Sequence, residues 1–121
     1  MSQNSAEFIP LKPLVFHILL VLVGGERHGY SIVKEVAAQT EGQFKIEPGN
    51  LYRTLRTIAA QGLIVESARR PDPDLDDQRR RYFRVTPLGS EVLRAEALRM
   101  ERLSLSAKAE FEAAGARGGE R

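Results

Sequence analysis

The chain has 121 residues, enough for one domain and too few for two substantial cores. Its 42% hydrophobic and 28% charged residues are ordinary globular usage, which excludes disorder over most of its length. The absence of Cys and the presence of only His17 and His28 exclude disulfide scaffolds, thiolate nucleophiles, iron–sulfur clusters, Cys-based zinc sites and three-histidine metal sites, and the net charge of 18 − 16 = +2 is small.

Residues 1–10 read as a flexible N-terminal arm from which Phe8 and Ile9 dock on the body. Leu11, Leu14, Val15, Ile18, Leu19 and Leu22 then follow the three-four spacing of a helix, with Pro13 in its first turn. The apolar run 14–23 is half the roughly 20 residues of a membrane span, and Gly24-Gly25-Glu26 replaces the cleavage site of a signal peptide. It is therefore expected to be a helix covered on more than one side, in a cytoplasmic protein. A second helix is expected over His28–Thr40, with Ile32, Val33, Val36 and Ala37 on its apolar face and His28 as a cap or packing residue. His17, inside the apolar run, reads as a core histidine. Residues 43–46 alternate and could be extended.

The third helix is expected from Pro48 to Gly62, bounded by a proline suited to a first turn and a glycine suited to an end. At about 100° per residue, Leu51, Leu55 and Ile58 form one buried stripe, while Arg53, Arg56, Thr57 and Ala60 fall opposite. No acid lies between Pro48 and Gly62, whereas an ordinary solvated helix mixes signs. All eight cations of residues 48–86 are Arg; against five acids they leave +3, while residues 1–47 carry −1 and 87–121 carry 0. Arg is the side chain suited to phosphate and base-edge contacts, which leans towards a nucleic-acid partner.

Residues 63–68 and 80–85 read as two strands of a hairpin whose tip, 70–78, holds two Pro and four Asp. Phe83 and Val85 share its inner face; Arg80, Tyr82 and Arg84 share the outer one. The Asp-rich tip lacks the glycine and the closing glutamate of a calcium loop. Thr86 as N-cap and Pro87 at the first position open a long helix, expected over 87–114, with a disordered tail at 115–121. Its stripe of Leu93, Ala97, Met100, Leu103, Ala107 and Phe111 exceeds what the preceding residues can cover, so these side chains are expected at a dimer interface.

Helix, helix, helix, strand, strand, long helix is a winged helix-turn-helix arrangement, mainly α with a small β-hairpin wing, over 11–86, with an added C-terminal dimerisation helix over 87–114. A major groove admits one α-helix, and the third helix has the surface for it. The chain also resembles the PadR family of bacterial transcriptional regulators. The residues that carry the likeness are LKPLVFHILLVL, GGERHGYSIVKEV, EPGNLYRTLRTIAAQGLI and DDQRRRYFRVTPLGSEVLRAEA, over about residues 10–105. The resemblance implies a winged-helix homodimer, often a repressor, released from operator DNA by a small effector.

It places Asn50, Tyr52, Arg53, Thr54, Arg56 and Thr57 on the recognition helix, Tyr30 at the second helix's N-terminus and Arg79, Arg80 and Arg81 on the wing. For Tyr52 a core role stands level with DNA contact, and for the wing arginines pairing with Asp72, Asp74, Asp76 and Asp77 is the rival. An effector pocket is expected between subunits, with Phe8, Val15, Leu19, Met100 and Leu103 as its apolar lining. No cofactor is expected. Catalysis is not expected either, since no nucleophile motif is present. The alternative is a winged-helix module that binds protein, with weak and sequence-blind affinity for DNA.

Overall fold

The computed structural model describes residues 4–67 and 81–117. After a 3-10 turn at Ser5–Phe8 come α1 (Pro13–Val23), β1 (Arg27–His28), α2 (Gly29–Gln39), α3 (Pro48–Ala60), β2 (Ile64–Glu66), β3 (Tyr82–Val85) and α4 (Pro87–Ala116). This is the winged-helix architecture read from the sequence. α1 buries Leu14, Ile18, Leu19, Val21 and Leu22 and packs against α2, α3, α4 and β3, which is why its sequence is apolar on nearly every side. Leu51, Leu55 and Ile58 of α3, Ile32 and Val36 of α2, Phe83 and Val92 complete the core.

The sheet is antiparallel in the order β1-β3-β2. Ile64, Val65 and Glu66 face Val85, Arg84 and Phe83, while Arg27 and His28 face Phe83 and Tyr82. Phe83 is buried and Arg84 exposed, as the alternation in β3 requires. Strand β1 was not expected, because two residues carry no periodicity. The expected wing tip, with Arg79, Arg80 and the four Asp, lies outside the described residues. Residues 43–46 form no strand: Phe44 and Ile46 pack on the core from a loop, with the Phe44 N–H donating to Thr40 Oγ1 at 3.2 Å.

Both expected caps are present. His28 Nδ1 accepts from the Ser31 N–H at 3.0 Å, and Thr86 Oγ1 accepts from the Gly89 N–H at 3.0 Å. The Thr86 hydroxyl also donates to the Gly62 carbonyl at 2.6 Å, tying the start of α4 to the end of α3. His17 is half-buried, edge-on to Phe16 and Phe44 with ring centroids 5.6 and 4.5 Å away, and burial lowers its pKa. It packs against these two rings at the edge of the core rather than within it.

The flexible arm expected over 1–10 is corrected for residues 4–10. Asn4 Oδ1 accepts from the Ala6 N–H at 3.0 Å, and Phe8 and Ile9 pack on the core. The 3-10 turn rests on α4, and the tie is an acid. Glu96 is only 2% exposed; its Oε2 accepts from the Leu11 N–H at 3.0 Å, while Arg99 donates through Nε at 2.7 Å and Nη2 at 2.9 Å. The Arg99 hydrogen bonds, with the Leu11 N–H, hold the Glu96 carboxyl below the usual glutamate range against the opposing effect of burial. A carboxyl with a lowered folded-state pKa adds stability above its unfolded pKa and loses it as pH falls through the folded value. Glu96→Ala should therefore cost about 1.5–3 kcal/mol at neutral pH, the range for hydrogen bonds to a charged group. In paired denaturant melts the gap between parent and variant should narrow as pH falls from the ordinary glutamate range through the lowered folded-state pKa. A gap independent of pH would mean that packing, not the charge, is what Glu96 supplies.

Helix α4 has 30 residues, about 45 Å of helix, and runs past the expected end at residue 114. Its buried residues stop at Glu96, and every residue from Met100 to Glu112 is exposed.

Candidate nucleic-acid interface

Helix α3 is amphipathic in the sense read from the sequence. Leu51, Leu55 and Ile58 are buried, while Asn50, Arg53, Arg56, Thr57 and Ala60 are exposed. Thr57 Oγ1 donates to the Arg53 carbonyl at 3.1 Å. Thr54 is half-buried on the flank that faces the N-terminal segment. The outward face is thus two guanidinium groups among small and amide side chains, with no carboxylate on the helix. Such a face presents positive potential along a rod of groove-filling width.

Tyr52 has a different task. Its ring is half-buried against the first residue of α2: a Cβ at Gly29 would lie 2.7 Å from the Tyr52 hydroxyl and 2.9 Å from its ring. Gly29 is therefore the residue that lets the N-terminal ends of α2 and α3 meet. Of the two readings open for Tyr52, helix-to-helix packing is the one the geometry favours.

Tyr30 follows that glycine in the first turn of α2. Tyr30 is 49% exposed, its ring lies near that of His28 with centroids 6.4 Å apart, and Lys34 Nζ sits 5.2 Å from the Tyr30 ring centre. Sequence reasoning missed Lys34, although its i, i+4 spacing from Tyr30 on a helix was a usable signal. On the wing, Arg81 is exposed with Nη1 3.6 Å from Glu66 Oε1, an exposed pair that yields readily to a phosphate. Arg84 on β3 is exposed as well, a second basic side chain absent from the expected set.

The expected dimerisation residues fall into two groups. Ala97, Met100, Leu103, Ala107 and Phe111 are exposed on the free part of α4, with Leu103 57% and Phe111 76% accessible. Leu93 belongs to the chain's own core and shows only an edge at the floor of a groove between α1 and α4, whose other apolar walls are Phe16, Leu20, Val23 and Ala97. The expected effector set is not brought together within the chain. Leu19 is 0% exposed and enclosed by the core, so its place in a pocket is a correction: a helix covered on several sides has no free flank there. Phe8 and Val15 line a cleft facing α3, and Met100 and Leu103 lie elsewhere, on free α4.

The family model for the transcriptional regulator PadR-like family matches residues 18–95, from within α1 to the last buried turn of α4. The chain belongs to the PadR-like family. A transcriptional regulator of Mycobacterium tuberculosis, Rv3488, is 32% identical over 88 residues, 73% of this chain and 76% of that one. Among solved structures, a PadR family regulator of Eggerthella lenta superposes with a TM-score of 0.61 at 27% identity, over 78% of this chain and 80% of the other. Bacillus subtilis PadR in complex with operator DNA gives a TM-score of 0.61 at 21% identity, over 71% of this chain and 46% of PadR, a likeness of fold. The PadR-like match ends at Ala95, so it takes in the capped start of α4 with Val92 and Leu93 and stops just short of the buried Glu96 and the exposed stretch beyond.

Proposed function

We propose that this PadR-like regulator is a dimeric, sequence-specific DNA-binding protein that acts as a repressor. The observation that carries the reading is the outward face of α3, where Arg53 and Arg56 stand exposed on a helix without a carboxylate. In this reading α3 enters the major groove, Arg53 and Arg56 meet base edges or phosphates, and Asn50 and Thr57 contact the flanks. Tyr30 and Lys34 approach the backbone from α2, and Arg81, with Arg79 and Arg80, approaches it from the wing. Tyr52 positions α2 against α3. The solved operator complex of B. subtilis PadR, a protein of the same fold, lends support.

The second copy is proposed from the exposed stripe of α4. At about 100° per residue, Ala97, Met100, Leu103, Ala107 and Phe111 share one flank, which continues the apolar groove against α1. A second α4 packed two-fold along that flank would cover both. Sedimentation should give a mass of two chains, and Leu103→Glu with Phe111→Glu should shift it to one. A parent that sediments as one chain would remove the dimer.

Selection from a random duplex pool tests the DNA reading. A two-fold symmetric winner with half-sites about one helical turn apart, or a multiple, is the expected outcome. Enrichment of nothing would favour a winged helix whose α3 meets protein instead.

A further inference from the structure

The end of α3 and the start of α4 meet at one hydrogen-bonded corner. α3 closes on Gly62, which has a φ of 85°. The Leu63 N–H donates to the Ile58 carbonyl at 2.9 Å and the Gly62 N–H to the Ala59 carbonyl at 3.0 Å, a Schellman turn. Thr86 takes the two carbonyls that follow. Its hydroxyl donates to Gly62 at 2.6 Å, with the Leu63 carbonyl 3.1 Å away, and its N–H donates to Leu63 at 3.0 Å. The same hydroxyl oxygen caps α4 by accepting from the Gly89 N–H at 3.0 Å. Beyond this corner α4 packs on α1, β3 and the N-terminal turn. Its tie at Glu96 holds the Leu11 N–H and does not reach α3.

We propose that the Thr86 hydroxyl is a positioning group for DNA recognition: by locking α4 to the capping turn of α3, it sets the distance between the two recognition helices and so the half-site spacing. This rests on the dimeric DNA-binding reading above. One oxygen serves both helix ends, as donor to the turn of α3 and as acceptor for the first turn of α4. The lever it controls is long. The exposed stripe from Ala97 to Phe111 centres on Ser104, about 25 Å along the helix from Pro87. A tilt of about 10° at the corner would move α3 by about 4 Å relative to that centre, more than the roughly 3.4 Å rise of one base step. The two chains of a symmetric dimer would add their displacements. The hydroxyl touches no DNA in this account; it acts through the direction in which α3 is held.

The probes are the selected duplex, the same duplex with its half-sites moved one or two base pairs closer or further apart, and a duplex carrying one half-site. The parent should lose about tenfold or more at each altered spacing, since a half-site out of register forfeits at least one good base contact. Thr86→Ser keeps donor and acceptor and should behave as the parent. Thr86→Asp keeps the cap, because a carboxylate accepts well at that position, but cannot donate to Gly62. Thr86→Val loses both. The Asp and Val variants should sediment as two chains and keep parental affinity for the single half-site. They should bind the altered spacings within about threefold of the original, less than half the parent's discrimination in free energy. Parental discrimination in Thr86→Asp, with or without its loss in Thr86→Val, would reduce the residue to a cap and overturn the proposal. Equal loss on every duplex, the single half-site included, would make the role merely structural and overturn it too. Both of these outcomes leave the dimeric DNA reading standing. A parent indifferent to spacing or to half-site sequence would remove that reading, and the proposal with it.

Discussion

Gly89→Ala should destabilise the protein by about 3 kcal/mol or more, at the upper end for overpacking. A Cβ at this position would overlap the carbonyl oxygen of Leu63 and lie 2.7 Å from Val85 Cγ2. Neither neighbour can move freely. Leu63 is buried, its N–H donates to the Ile58 carbonyl at 2.9 Å, and its carbonyl accepts from the Thr86 N–H at 3.0 Å. Thr86 in turn caps α4 through the Gly89 N–H. The glycine therefore sits where the end of α3, the base of the wing and the start of α4 converge, and one methyl group disturbs all three. At constant protein concentration, thermal melts followed by circular dichroism should show a midpoint lower by roughly 10 °C or more. A drop of a degree or two would mean that α4 can slide off Leu63 at little cost, and the packing described for this corner would be wrong.

The second large effect is on DNA. Arg53→Ala and Arg56→Ala together should weaken binding to a selected duplex by about 100-fold or more, since each good Arg–base pairing is worth roughly 1–3 kcal/mol of discrimination. The fold should be untouched, because both side chains are exposed and neither is held in a salt bridge among the described residues. The salt dependence separates the two possible contacts. If an arginine meets phosphate, its loss lowers the slope of log affinity against log salt by about one and weakens all sequences alike. If it reads a base edge, the slope changes little and preference at one position relaxes. Single variants assayed on the winner and on a scrambled duplex assign each arginine to one class.

What the sequence conveyed follows from where the information resides. The faces of α3 were legible because helical period and charge are local: Leu51, Leu55 and Ile58 fall on one side, and the absence of acid on the other is visible without any partner. Thr86 and Pro87 were legible as a helix start for the same reason. Strand β1 was not, because Arg27 and His28 are extended only through pairing with Phe83 and Tyr82, more than fifty residues away. Glu96 reads as one more surface charge on a charged helix, yet its burial is set by the Leu11 N–H, 85 residues distant. Leu19 and Leu93 show the limit of stripe reasoning: spacing says which residues are apolar on a flank, while the chain's own packing decides which remain available to a partner. The cleft beside α3 was invisible on the same grounds, since its two walls meet only in the folded chain.

In the proposed function α3 reads a DNA sequence. Fluorescence anisotropy of the selected duplex against a random one of equal length, across a salt series, tests it most directly. A preference of at least about 10³-fold at physiological salt is expected, with affinity for both falling steeply as salt rises. Equal affinity for the two duplexes, vanishing together with salt, would reduce the arginine face of α3 to nonspecific attraction and contradict it.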